Sequence, residues 1–298
     1  MIRRETMLLP KFKFHEPKTE QEACQILTEY GDKARPIAGG TDLVVNMKKK
    51  LMSPEHVVSL SRIASLKGLQ KENGFVKIGA CFTVADMIEA KDIRENVNAL
   101  SAGAAALGSP LVRNLATIGG NLGSARPAAD LPPSLMAYGA TLILKSGNGK
   151  RNVAIDDFFK SPGTTECRPD EFIAEIQVQT PPAGAGAGYL NLGARKAQDC
   201  NIVNVASFIC LNKSGVIETA RVVLGCVGPI HLRAPAAEKI LVGEKPDKAL
   251  FKKAAEAARS DCLPITDFRG TGEYKRAMVD VLTQRTLEIA LDEAKKNN

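Results

Sequence analysis

Two glycine pairs constrain this 298-residue chain more than any other feature. The first lies in RPIAGGTDLVVNMKKK, residues 35–50, and the second in VRNLATIGGNLGSARPAADLPPSLMAYGATL, residues 112–142. Each pair follows a short apolar run and precedes a polar residue, Thr41 or Asn121. ARPIA reads as a short buried strand and DLVVNMKKKL as a helix, so Gly39 and Gly40 stand at a strand-to-helix turn. At such a turn unpaired backbone N–H groups and the helix dipole both face an anion. The missing Cβ lets a phosphate approach the main chain, and Thr41 adds a hydroxyl. Thr117, Ile118, Gly119, Gly120 and Asn121 again offer glycine N–H groups with a hydroxyl and an amide. Either loop alone reads equally well as a plain turn. Together they suit a pyrophosphate, whose charges need several donors once buried. Asp130 stands just before the helix-like LPPSLMAYG, where it either caps that helix or accepts from a ribose-type hydroxyl.

Other nucleotide sites are excluded. AGAGAG, residues 183–188, has the wrong glycine spacing for a dinucleotide fingerprint and leads into a strand rather than a helix. It reads as a flexible hairpin. No GxxxxGK[ST] loop occurs, which removes the P-loop hydrolases. The formal charge is +7, but basic residues are spread along the chain and there are four Tyr and no Trp for base stacking, against a nucleic-acid partner. A basic face toward an anionic cofactor or an acidic subunit fits better. No run approaches the roughly 20 apolar residues of a membrane span, and the basic N-terminus lacks a signal-peptide core. The seven Cys show no CxxC and no cluster, a reduced, cytoplasmic pattern. With three scattered His, this leaves no metal or iron–sulfur site on the chain itself.

Along the chain, Thr19 and Glu22 form a capping box ahead of a helix that Gly31 ends. HVVSL and FVKIGA read as strands, and Thr83 with Asp86 opens another helix. Strands alternate with helices from residue 5 to about 165, a mixed α/β or α+β pattern. The texture changes at the Pro- and Gly-rich TPPAGAGAG, residues 180–188. Three strand-like runs follow, GYLNLGARK, IVNVASFICL and TARVVLGCVG, spaced for an antiparallel meander. Helices APAAEKILV, PDKALFKKAAEAARS and a long one over about 273–295 finish the chain. The expected division is 1–180 and 181–298.

PIAGGTDL together with VRNLATIGGNLGSARPAADLPPSLMAYGATL resembles the flavin-binding medium subunit of the molybdenum hydroxylases, the family of xanthine, carbon monoxide and nicotinate dehydrogenases. DFRGTGEYKRAMVDVLTQRTLEIAL resembles the segment closing that family's C-terminal domain, so three matches occur in order across nearly the whole chain. The resemblance implies an α+β fold. It has an FAD-binding domain of two α/β subdomains, like vanillyl-alcohol oxidase, then a three-stranded antiparallel sheet with helices. It implies that Pro36, Ile37, Ala38, Gly39, Gly40, Thr41, Asp42 and Leu43, with Thr117, Ile118, Gly119, Gly120 and Asn121, cradle the FAD pyrophosphate. Ser124 and Asp130 match positions further along the cofactor, and Ile173 a residue packing against it.

Two departures stand out. YLNLGARK places Asn191 where the family often has a basic residue near the flavin, which leaves the anionic reduced flavin less stabilised. Arg126 replaces a usual small residue, as a surface guanidinium or as a cation approaching the cofactor. The implied function is electron transfer within a complex. A large subunit would hold the molybdenum cofactor and a small subunit two 2Fe–2S clusters, in a dimer of heterotrimers. FAD here would take electrons from those clusters and pass them to an acceptor such as NAD. The absence of a cysteine-ligated insertion argues against one related reductase branch. The alternatives are a self-contained FAD oxidoreductase, which needs an acid or base beside the flavin, and a non-catalytic FAD-binding assembly module.

Overall fold

The computed structural model describes residues 9–195 and 198–298. Residues 5–8 of the first expected alternation and Lys196 of the GYLNLGARK run lie outside them. Three sheets carry the architecture, each serving a different part of the chain.

The first is parallel. Strands β1 (Lys13–His15), β2 (Ala34–Ile37) and β3 (His56–Ser59) pair in the order β1-β3-β2. Helix α1 (Glu20–Tyr30) supplies the crossover. Its capping box forms as read: Thr19 Oγ1 accepts from the Glu22 N–H at 3.1 Å, and Glu22 Oε2 accepts from the Thr19 N–H at 3.3 Å. The apolar stripe Ala23, Cys24 and Leu27 then packs on Ala34 and Val58. Helix α2 (Leu43–Lys48) is shorter than its sequence suggests. Only Lys48 lies in its last turn, and Lys50 turns left-handed at φ +58°.

The second sheet is antiparallel, in the order β4-β5-β10-β6-β7. It comprises β4 (Leu69–Glu72), β5 (Phe75–Gly79), β6 (Thr141–Ser146), β7 (Gly149–Ala154) and β10 (Phe172–Gln179). Between β5 and β6 the chain runs through six helices: α3 (Val84–Glu89), α4 (Lys91–Asn96), α5 (Asn98–Ala106), α6 (Pro110–Arg113), α7 (Ile118–Gly123) and α8 (Leu131–Tyr138). Thr83 caps α3 through the Asp86 N–H at 3.1 Å. Helix α9 (Ile155–Phe158) and a small ribbon, β8 (Phe159–Ser161) with β9 (Thr164–Thr165), link β7 to β10. The central strand β10 draws its core contacts from both faces, as buried strands do. Phe172 and Ala174 belong to the core beneath the parallel sheet, while Ile173 and Ile176 belong to the core under the helices.

The third sheet holds β11 (Ala185–Leu192), β12 (Val203–Leu211) and β13 (Ile217–Gly225), the antiparallel meander read from the sequence. A two-residue edge strand, β14 (Leu232–Arg233), adds a fourth member. Helices α10 (Pro235–Leu241), α11 (Lys248–Asp261) and α12 (Gly272–Lys296) cover one face. The structure corrects the hairpin reading of AGAGAG: Ala185 to Gly188 are buried strand. A Cβ on Gly186 would strike the α12 backbone at Ala290, and one on Gly188 would lie 2.5 Å from the Thr286 carbonyl. Ala183 and left-handed Gly184 make a turn into the strand, and the glycines after it let a helix lie directly on the strand. The change from β10 to β11 falls where the sequence texture changes. Among the described residues no helix is long and apolar enough to cross a membrane.

Candidate cofactor site

The two glycine loops meet in space. A Cβ on Gly39 would collide with the Leu115 carbonyl, so the first loop lies directly on the segment that leads into the second. Gly40 takes φ +72°, a left-handed conformation that a side chain strains. Beyond it the chain enters α2, and the backbone N–H groups of Gly39, Gly40, Thr41, Asp42 and Leu43 donate to no acceptor among the described residues. Residues 36–44 are all half-buried. Five consecutive unpaired amides at a helix start form a ready anion site.

The second loop differs from its sequence reading. Thr117 to Asn121 open the short helix α7, and the amides of Ile118 to Asn121 are already engaged. Ile118 donates to the Phe82 carbonyl at 3.1 Å, Gly119 to the Ala80 carbonyl at 2.9 Å, and Asn121 to the Thr117 carbonyl at 2.9 Å. Gly120 donates to Thr117 Oγ1 at 3.1 Å. The expected glycine N–H donors are therefore spent on the protein itself. What this loop offers is space and side chains. Gly120 is exposed, and Asn121 Oδ1 is buried with no hydrogen-bond partner. Such an orphaned acceptor costs on the order of 1–3 kcal/mol unless a ligand or water satisfies it. Ser124 ends α7 and donates to the Asn121 carbonyl at 3.0 Å.

Arg126 joins the loops from the far side. Its Nη2 donates to Asn46 Oδ1 at 2.8 Å, and its Nε lies 3.5 Å from Asp42 Oδ1. The guanidinium is half-exposed and braces the start of α2. Ile173 sits on β10 opposite Leu144, at a bulge before Glu175. It shares a core with Ile118 and Leu122 of α7. Its neighbour Ala174 accepts from the Ala80 N–H at 3.0 Å, and Ala80 in turn accepts from Gly119. Ile173 is thus tied to the second loop through Ala174 and Ala80.

Asp130 does not cap α8, the helix it precedes. Instead Asp130 Oδ1 accepts from Tyr189 Oη at 2.8 Å and from Asn201 Nδ2 at 2.7 Å. Burial pushes this carboxyl above its usual range, while the Asn201 and Tyr189 hydrogen bonds pull it back. Asn191 is exposed and donates to Asn201 Oδ1 at 2.8 Å, which places it at the rim of the same network.

Sequence reasoning misses Tyr189, Asn201, Asn204 and the Leu115 carbonyl. The available signal is weak: two Asn within the otherwise apolar NIVNVASFICL, where a buried amide needs partners. All seven cysteines are free thiols.

Known proteins share this architecture. Residues 10–181 match the family described as the FAD binding domain in molybdopterin dehydrogenase, and residues 189–290 match the CO dehydrogenase flavoprotein C-terminal domain. The chain is 34% identical to the carbon monoxide dehydrogenase medium chain of Afipia carboxidovorans, over 97% of this chain and 100% of that one. It is 33% identical to the corresponding chain of Hydrogenophaga pseudoflava, over 95% and 98%. A solved structure of the Hydrogenophaga pseudoflava enzyme lacking the Mo-pyranopterin moiety superposes with a TM-score of 0.92, covering 96% of this chain and 99% of that one at 33% identity. With a cradle of free amides, two family domains in order and relatives matched end to end, the chain belongs to the FAD-binding medium subunits of the molybdenum hydroxylases and is an oxidoreductase subunit.

Proposed function

We propose that this chain is the electron-transfer subunit of a cytoplasmic molybdenum hydroxylase complex, with the division 1–180 for FAD and 181–298 for the C-terminal domain. Its partners are a large subunit carrying the molybdenum cofactor and a small subunit carrying two 2Fe–2S clusters, arranged as a dimer of heterotrimers. Bound FAD supplies the redox chemistry, taking electrons from the small subunit and passing them to an external acceptor such as NAD.

The observation that carries this reading is the run of unpaired amides from Gly39 to Leu43. At Gly39 this run lies against the segment leading into a loop whose Asn121 Oδ1 is an orphaned buried acceptor. In this assignment Pro36 to Leu43 wrap the pyrophosphate, with the Gly39 to Leu43 amides as main-chain donors and the Thr41 hydroxyl assisting. Thr117 to Asn121 line its other side, with Gly120 giving clearance and Asn121 a side-chain contact. Ser124, Asp130, Ile173 and Asn191 follow the cofactor outward, and Arg126 acts by fixing α2. The residues present fit an anionic dinucleotide.

The test is to purify the complex from its native source and analyse it by mass spectrometry and metal content. The expected result is this chain with two partner chains in equal amounts, together with FAD, molybdenum and iron. A chain that purifies alone, without molybdenum or iron, and catalyses substrate oxidation unaided would overturn the reading.

A further inference from the structure

The stretch just before α8 is held by the C-terminal sheet residue by residue. The Pro127 carbonyl accepts from the Cys226 N–H at 2.9 Å. The Ala128 carbonyl accepts from Asn201 Nδ2 at 3.1 Å, and the Ala129 carbonyl from Asn204 Nδ2 at 2.9 Å. The Asp130 carboxylate takes Asn201 and Tyr189, both on Oδ1. Asn204 Nδ2 also donates to Tyr189 Oη at 3.2 Å, which leaves the tyrosine proton free to point at Asp130. Asn201 and Asn204 are fully buried, at 3% and 0% exposure. Asp130 Oδ2, by contrast, has no donor among the described residues and is not sealed from solvent. Four donors from β11 to β13 and their connections therefore converge on four consecutive residues, and one carboxylate oxygen is left over.

We infer that Tyr189, Asn201 and Asn204 are positioning residues that aim the free Oδ2 of Asp130 at the cofactor, so that the C-terminal sheet completes the FAD site. The inference rests on the reading that Asp130 contacts FAD. A buried carboxylate whose first oxygen takes two donors is fixed in rotation, and those donors oppose the rise that burial imposes on its pKa. Its second oxygen then presents a single acceptor direction to a hydroxyl or ring N–H of the ligand. Asn204 acts one step further out by setting the direction of the Tyr189 proton. Tyr189 and Cys226 are the other titratable groups facing Asp130, and burial pushes both upward, so both stay protonated at neutral pH.

The test titrates the full chain, stripped of flavin, with FAD across about pH 5 to 8. Four variants are compared with wild type: Tyr189→Phe, Asn201→Ala, Asp130→Asn, and Asn201→Ala combined with Asp130→Asn. Each of the first two is expected to weaken FAD binding about tenfold at neutral pH. The loss should grow as pH falls, because a carboxyl deprived of a donor takes up its proton at higher pH. The double variant should bind no worse than Asp130→Asn alone, since Asn201 acts through Asp130. A loss equal at every pH, or additive losses in the double variant, would make these residues merely structural and overturn the inference. Asp130→Asn binding FAD as wild type does would instead overturn the site reading itself. Should Asn201→Ala fail to fold, Tyr189→Phe keeps the ring volume and suffices alone: wild-type affinity and pH profile in that variant would sink the proposal.

Discussion

An added Cβ at Gly120 would meet only the Thr117 hydroxyl, at 3.0 Å. The same addition at Gly39 would drive into the Leu115 carbonyl, and Gly40 needs a left-handed backbone. Substitutions at the first pair therefore damage the fold and the site together, whereas Gly120 separates them. Gly120→Val is expected to weaken FAD binding at least about tenfold while the flavin-free chain unfolds within about 1 kcal/mol of wild type. Flavin titration with thermal unfolding of the stripped protein checks this. Full FAD occupancy in a folded variant would show that no part of the cofactor passes over Gly120. The glycine pairs are legible in the sequence because an absent side chain is itself a visible token. The fate of their amides is not. Gly119 spends its N–H on Ala80, a partner set by how β5 approaches α7. Asp130 takes a network role rather than helix capping because Tyr189 and Asn201 reach it from the third sheet.

The loop between α11 and α12 shows what the third matched segment does within the fold. Lys275 is 1% exposed, yet its ammonium donates to the Ile265 carbonyl at 2.8 Å and lies 3.0 Å from Asp267 Oδ1. Arg269 donates to Asp267 Oδ2 at 2.7 Å. Burial alone would raise the Asp267 carboxyl, but the Arg269 and Lys275 hydrogen bonds hold it well below the usual range. A buried ammonium tolerates such a site only with its partners in place. Lys275→Ala removes the ammonium and leaves the Ile265 carbonyl and Asp267 short of a donor. It is expected to cost about 3 kcal/mol of stability, read by chemical denaturation, and a loss below about 1 kcal/mol would show that the loop holds without it. Strand and helix types are readable because caps and alternation are local, as at Thr19 and Thr83. AGAGAG misleads because its determinant is α12, about 100 residues later, whose carbonyls lie against the glycines.

Over the whole molecule the site is assembled from both halves of the chain. The parallel sheet delivers α2 and its free amides, the antiparallel sheet delivers α7, and the meander grips residues 127–130. Both glycine loops are visible in the sequence, although only the first keeps free glycine amides once the chain folds. The part played by the third sheet is not readable in advance, because its contributors are single polar residues on buried strands or in the connections beside them, with no spacing of their own. In the proposed assignment the three sheets together form a cradle for one FAD held by noncovalent contacts, with no His or Cys in either loop to serve as a covalent anchor. Acid precipitation of the purified complex, followed by identification of the released flavin, decides whether that cradle works as described. Yellow FAD in the supernatant is expected, one molecule for each copy of this chain; flavin retained in the pellet, FMN in place of FAD, or no flavin at all would contradict it.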